Sequence, residues 1–280
     1  MQPKNASYAT RRSSLEIVKD YKKKYPDIAI DVIRISDIVL EICDARFIKE
    51  SRNKKFEDLV IKSGKKLMYV LNKADLVDME EVARKLELHE LQPYFFISCK
   101  THYGISNLRD MIKIEVKRAD MKYKRAHVGV IGYPNIGKSS VINLLAGKPV
   151  AKTAAEAGFT KGMQKIRLAK DIIIIDTPGV IPQEEMGKES RNTAKHAKIN
   201  VKTWDTMKSP DIAVFDIFKK HPGLIERFYE IDSLGDFEVL IEKLGRKNNF
   251  LKKGDVIDVD RTTRLILRDW QSGNILKEES

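Results

Sequence analysis

The chain has 280 residues, 42% of them hydrophobic and 33% charged, enough apolar material for a buried core and enough charge to stay in water. No apolar run approaches the roughly 18 residues of a membrane span, and Met1 to Thr10 lack the apolar core of a secretory signal. Two cysteines and five scattered histidines give no zinc-binding pattern, so membrane, secreted and zinc-finger classes are not expected.

The formal net charge of +12 is uneven, since residues 100–170 alone hold 15 Lys and Arg against 4 Asp and Glu. Part of that excess suits a bound polyphosphate. The remainder, at Lys22-Lys23-Lys24, Lys117-Arg118, Lys122 and Lys124-Arg125, suggests a polyanionic partner such as RNA, with a plain solvated face as the alternative.

Residues 1–36 read as an N-terminal helical extension. Ser13-Ser14 can cap a helix that puts Leu15, Val18 and Tyr25 inside, and Pro26 interrupts it. Asp37 to Asp44 is a β-prone apolar run followed by Asp44-Ala45-Arg46. Phe47 to Gly64 then reads as one helix anchored by Phe56, Leu59 and Val60. A second strand, Lys66 to Leu71, runs into Asn72-Lys73-Ala74-Asp75. N-K-x-D at the end of a strand is the guanine-specificity motif of GTPases. A carboxylate at Asp75 accepts hydrogens from N1–H and the 2-amino group, which guanine has and adenine lacks. Asn72 would tie base and phosphate loops together, and the stem of Lys73 would lie along the ring.

A helix is expected from Met79 to His89, then a strand from Tyr94 to Ile97 that ends in Ser98-Cys99-Lys100, similar to the S-A-K guanine loop. Cys43 and Cys99 both fall in predicted strands and read as buried, reduced thiols, which suits the cytoplasm. A helix over Gly104 to Lys117 and a basic linker lead to the apolar strand Ala126 to Ile131. There follows Gly132-Tyr133-Pro134-Asn135-Ile136-Gly137-Lys138-Ser139, then Ser140, which reads G-x-x-x-x-G-K-S. The next segment places Val141, Leu144 and Leu145 on one helical face. A phosphate-cradling loop needs this strand–loop–helix context, because backbone N–H groups and the helix N-terminus face the phosphates. Lys138 would reach the β- and γ-phosphates, and Ser139 would ligate Mg²⁺.

Within Thr153 to Lys161, Thr160 is the candidate switch ligand to Mg²⁺, with Thr153 as runner-up. Met163 to Leu168 alternates as a strand does, and Asp171 to Ile175 is an apolar strand ending in Asp176-Thr177-Pro178-Gly179. D-x-x-G is the second Mg²⁺ motif: Asp176 would hold the metal through water and the Gly179 N–H would contact the γ-phosphate. Val180 stands where many GTPases carry a water-orienting Gln. Lys138, Thr160 and Gly179 are therefore the catalytic candidates, and Asn72, Lys73, Asp75, Ser98, Cys99, Lys100, residues 132–140, Thr160, Asp176 and Gly179 the nucleotide-binding ones.

The guanine motifs precede the phosphate motifs, the reverse of most GTPases, so residues 37–185 read as a circularly permuted P-loop GTPase domain built on a mostly parallel sheet. Joining former termini is tolerable because they lie close together at a domain surface. Residues 186–280 read as a C-terminal α-helical domain that binds RNA or the ribosome. Phe237, Leu240, Ile241 and Leu244 lie at helical spacing after Asp236, with Gly245 as a stop. Another helix spans Asp258 to Gln271 and stops near Gly273, with Ile266 and Trp270 in the core. Arg246, Lys247, Lys252, Lys253, Arg261, Arg264 and Arg268 read as rRNA contacts or as a balanced helical surface.

The motif order resembles the circularly permuted GTPases of ribosome assembly over roughly residues 30–280. Asp44-Ala45-Arg46 is similar to the D-A-R element of that group, and Leu265 to Gly273 looks like the end of its RbgA/YlqF branch. The resemblance implies a monomeric, cytoplasmic GTPase that cycles between GTP and GDP, matures the large ribosomal subunit and is slow until activated. Asn135 matches the phosphate-loop Asn of potassium-stimulated relatives, which implies a K⁺ beside the phosphates. The proposed catalytic His of some bacterial members has no counterpart, since no His precedes His89. The rival readings are a GTP-gated binding switch that needs no hydrolysis, which Val180 favours, and a GTPase acting on another RNA.

Overall fold

The computed structural model describes residues 25–85, 91–118, 125–151, 163–181, 195–197, 199 and 201–275. Ser13-Ser14, Lys22 to Lys24, Lys122, Lys124, Thr153 and Thr160 lie outside the described residues. In chain order the elements are α1 (Tyr25–Ile35), β1 (Ile38–Asp44), α2 (Ile48–Ser51), α3 (Lys54–Lys62), β2 (Lys66–Asn72), α4 (Met79–Lys85), β3 (Tyr94–Phe96), α5 (Ile105–Arg118), β4 (Ala126–Ile131), α6 (Lys138–Ala146), β5 (Gln164–Arg167) and β6 (Ile172–Asp176). Then come α7 (Pro210–Lys220), α8 (Leu224–Tyr229), α9 (Phe237–Lys247), β7 (Leu251–Lys252), β8 (Val256–Ile257) and α10 (Val259–Ser272).

Six strands form one sheet in the order β3-β2-β1-β4-β6-β5, parallel except for β5. β1 and β4 are buried along their whole length, as strands covered on both faces must be, which explains their unbroken apolar sequences. Alternation assigns the faces. Ile38, Leu40 and Ile42 point into the cluster that also holds α5, α6 and buried residues of α7 to α10. Val39 and Cys43 point into the opposite cluster, with Ala29 and Ile33 of α1 and Phe56 and Val60 of α3. β1 and β4 lie side by side while the chain leaves them in opposite directions across the sheet, so a crevice opens at their carboxyl ends.

Three local expectations need correction. The helix expected over Phe47 to Gly64 is two helices. The Asn53 N–H donates to the buried Glu41 carboxylate at 2.7 Å, and the Asn53 side chain caps α3 by accepting the Phe56 N–H at 3.3 Å. Gly245 does not stop α9, which runs on to Lys247; a Cβ at Gly245 would sit 2.8 Å from Ile257 Cγ2, so glycine serves there to let β8 close on the helix. Cys99 lies in the loop after β3 and is half-buried, whereas Cys43 is fully buried in β1. Among the described residues no helix is long and apolar enough to cross a membrane.

Candidate nucleotide site

Four of the expected loops meet in the crevice at the carboxyl ends of β2, β3, β4 and β6. Residues 132–137 wrap from β4 into α6, with Asn135 (φ 55°) and Gly137 (φ 105°) both left-handed. The Lys138 ammonium folds back and donates to the Tyr133 carbonyl at 2.7 Å, closing the loop into a ring. That ammonium is buried, and burial pulls it down to about 8 against the opposing pull of Asp176. A phosphate beside it would raise that value again and hold the charge in place.

Opposite it, the Ser139 hydroxyl faces Asp176 Oδ2 at 3.4 Å. Burial pushes the Asp176 carboxyl up, against the lowering effect of Lys138, and its Oδ1 is buried without a hydrogen-bond partner. A buried carboxylate oxygen left unmet beside a hydroxyl fits a hard divalent cation, so Ser139 and Asp176 suit Mg²⁺. Gly179 packs against the phosphate loop. A Cβ there would lie 2.3 Å from Pro134 Cα and 3.0 Å from Lys138 Nζ, so only glycine permits the approach. Beside it the Val180 N–H donates to the Gly132 carbonyl at 3.2 Å, and the Val180 side chain is buried with Ile131. The Thr177 hydroxyl donates to the Val130 carbonyl at 2.7 Å, fixing the start of this turn on β4. The Asn135 amide nitrogen is buried with no partner.

Asn72 joins the two halves of the site. Its amide nitrogen donates to the Ile136 carbonyl at 3.0 Å, and its oxygen accepts the Cys99 N–H at 3.4 Å. The phosphate loop and both guanine loops therefore share one side chain. The Ser98 hydroxyl donates to Asp75 Oδ1 at 2.6 Å and accepts the N–H groups of Lys100 (3.2 Å) and Thr101 (3.1 Å), which squares that loop beneath the Asp75 carboxylate. Asp75 and Lys100 are exposed at the crevice. Lys73 is left-handed (φ 65°), and its ammonium pairs with Asp44 at 2.8 Å. Burial alone would raise the Asp44 carboxyl, but Lys73 and Arg46 outweigh it and hold it at about 2.

The structure brings Asn72, Asp75, Ser98, Cys99, Lys100, Tyr133, Ile136, Lys138, Ser139, Asp176 and Gly179 together at this edge of the sheet. Two contributors have weaker signals in the sequence. Asp44 belongs to a turn visible only as a family element, and nothing local marks it as the partner of Lys73. Lys195, beyond the second Mg²⁺ motif, donates to the Tyr133 hydroxyl at 3.1 Å and lies 5.2 Å from that ring's centroid. Its only trace in the sequence is one more basic residue among many.

The chain is similar to known proteins. Residues 127–234 match the family model described as "50S ribosome-binding GTPase", under half of the chain. The uncharacterized GTP-binding protein MJ1464 of Methanocaldococcus jannaschii is 36% identical over 256 residues, covering 90% of this chain and 67% of that protein. The nucleolar GTP-binding protein 2 of Neurospora crassa is 32% identical over 281 residues, covering 98% of this chain but 44% of its own length. The chain thus spans about two thirds of the first relative and less than half of the second. Among solved structures, GNP-bound YlqF from T. maritima superposes with a TM-score of 0.59 over 96% of each chain at 23% identity, a likeness of fold. The chain belongs to the YlqF-like, circularly permuted GTPase family.

Proposed function

We propose that this member of the circularly permuted GTPases binds GTP and GDP with Mg²⁺, hydrolyses GTP slowly by itself, and acts as a switch in assembly of the large ribosomal subunit. The observation that carries the nucleotide reading is Asn72. One amide bonded to Ile136 of the phosphate loop and to Cys99 of the guanine loop makes a single site from motifs in inverted order.

Asp75 reads the guanine edge on this account, with the N–H groups of Ser98 to Lys100 facing the base oxygen and the Lys73 stem against the ring. Gly132 to Ser140 cradle the phosphates. Lys138 leaves the Tyr133 carbonyl for the β- and γ-phosphates. Ser139 and Asp176 hold Mg²⁺, with Thr160 as the third contributor. Mg²⁺ supplies the charge that offsets the phosphates in the transition state. The Gly179 N–H meets the γ-phosphate. Asn135, with its unmet buried amide, is the proposed K⁺ neighbour.

Val180 is apolar and buried, so it cannot orient a water. Hydrolysis then awaits a group brought by an activator. The same observation favours a second reading, in which GTP binding alone sets the switch. The matched relatives and family are named for GTP, the nucleolus and the 50S ribosome, which supports rRNA or the large subunit as the partner. A monomer acting in the cytoplasm, or wherever the host assembles its large subunits, fits that role. The permutation adds a mechanical element: the turn after Gly179 continues directly into residues 186–280, so ordering it on GTP would move the helical module.

GTP turnover measured in K⁺ and in Na⁺, with and without purified large ribosomal subunits, tests this. Acceleration by the subunit of at least about tenfold is expected. Intact GTP binding with no acceleration would leave the binding switch or another RNA partner.

A further inference from the structure

The turn at the end of β1 does work that the nucleotide motifs leave unassigned. Asp44 is fully buried and both its oxygens are used. Oδ1 accepts the Arg46 backbone N–H at 3.1 Å and Arg46 Nε at 3.0 Å, while Oδ2 accepts Arg46 Nη2 at 2.9 Å and pairs with Lys73 Nζ at 2.8 Å. The turn is also bonded to the guanine loop through its backbone, since the Ala45 N–H donates to the Asn72 carbonyl at 2.8 Å.

The other end of this cluster is in α10. Arg46 Nη1 donates to the Trp270 carbonyl at 3.1 Å, a link between residues 224 apart in the chain. Trp270 stacks on Phe47 with ring centroids 5.8 Å apart, and Arg46 lies 5.2 Å from the Phe47 centroid. Three residues on, Gly273 abuts the turn after Asp75: a Cβ there would come within 2.5 Å of Leu76 Cδ1. The last turn of α10 therefore touches the guanine loop at two points, through Arg46 and through Leu76. Its remaining face holds Gln271, which bonds the Ala197 carbonyl (3.1 Å), the Lys202 carbonyl (3.0 Å) and the Trp204 N–H (3.0 Å).

A four-carbon lysine stem samples many rotamers unless its head is fixed, and a base-stacking surface that is already ordered binds more tightly. Here the head of Lys73 is fixed by a carboxylate whose own orientation is fixed by a guanidinium fork. We infer that Asp44 and Arg46 are positioning residues for guanine recognition and that they take their bearing from the last turn of α10, so that a change at this turn alters base discrimination. The inference rests on the guanine-nucleotide reading above and assigns the regulation of that site.

The test compares dissociation constants for GDP and IDP, measured on the full chain with Mg²⁺. IDP lacks the 2-amino group that Asp75 would accept, so the GDP-to-IDP ratio reports the seating of the base loop rather than overall folding. Arg46→Lys keeps a charge beside Asp44 but cannot fork to the Trp270 carbonyl. Gly273→Ala presses on Leu76 from the α10 side and leaves all four base-loop motif residues in place. Each should weaken GDP binding about tenfold and move the ratio toward one. Asp44→Asn should do the same if it folds, and the two milder variants carry the test if it does not. Folded Arg46→Lys and Gly273→Ala proteins that keep the GDP-to-IDP ratio of the unmodified chain overturn the inference. Failure of the unmodified chain to bind GDP would instead sink the nucleotide reading, and this inference with it.

Discussion

The helices α6 and α10 begin in opposite ways. α6 begins at Gly137, which has no side chain to cap the first turn, and a buried ammonium and a half-paired carboxylate stand beside it. α10 begins at Asp258, whose carboxylate accepts the Arg261 N–H at 3.1 Å, and closes at Gly273 with its final carbonyls bonded. The Trp270 carbonyl accepts both the Gly273 N–H and Arg46 at 3.1 Å, and the Asp269 carbonyl accepts the Asn274 N–H at 2.8 Å. A helix whose end is satisfied internally is finished structure. A helix whose N-terminus is left bare beside a buried ammonium suits an anion. Alterations in α10 before its last turn, which meets Arg46 and Leu76, should therefore be felt first in stability, and alterations around the nucleotide loops in binding.

The sharpest contrast uses Trp270, which is 2% exposed and stacked on Phe47. Trp270→Ala removes a fully packed aromatic and should destabilise the fold by about 3–5 kcal/mol in denaturant titration. Asp75→Asn should leave the denaturation midpoint unchanged while lowering GDP affinity about a hundredfold, with partial recovery for xanthine nucleotides, whose edge presents an acceptor where guanine presents a donor. A large loss of stability in the Asp75 variant would erase the distinction between the two regions.

Much of this division is legible in the sequence, for a physical reason. Phosphate, Mg²⁺ and guanine each dictate particular residue types at fixed backbone positions, and those positions fall at strand ends. That is why Asn72, Asp75, Gly132 to Ser139 and Asp176 announce themselves. Periodicity places Leu240, Ile241 and Leu244 in the core, and the Asp236 and Asp258 caps stand where a short polar residue precedes an amphipathic run. What pattern cannot supply is pairing across the fold. Asp44 reads as the end of a strand until β1 and β2 are set in register, with Asp44 opposite Asn72. The break between α2 and α3 depends on Glu41, a buried carboxylate that needs the Asn53 N–H, and no helical wheel of residues 47–64 contains it. Arg46 finds the Trp270 carbonyl only once helices from the far end of the chain cover the sheet.

Two further measurements refine the comparison. Burial holds the free Lys138 ammonium at about 8, and bound phosphate would restore its ordinary, higher value. A depressed lysine loses its proton as pH rises through 8, so nucleotide affinity should be at full strength below pH 8. Above it, affinity should weaken by about tenfold per pH unit, with proton uptake detectable by calorimetry in buffers of different ionisation enthalpy. A flat profile from pH 7 to 9.5 would place Lys138 in water. At the other region, the Asp236 carboxylate accepts the Glu238 N–H at 2.7 Å and the Val239 N–H at 3.3 Å. Asp236→Ala and Asp258→Ala should each lower stability by about 1 kcal/mol, and neither should change GDP affinity.

The measurement that bears most directly on the whole account is the affinity of the unmodified chain for GDP, ADP and XDP in the presence of Mg²⁺. If the inverted motifs do assemble one guanine site through Asn72, GDP should bind at least about a hundredfold more tightly than either of the others. Equal affinities for the three, or no binding of GDP at all, would contradict it.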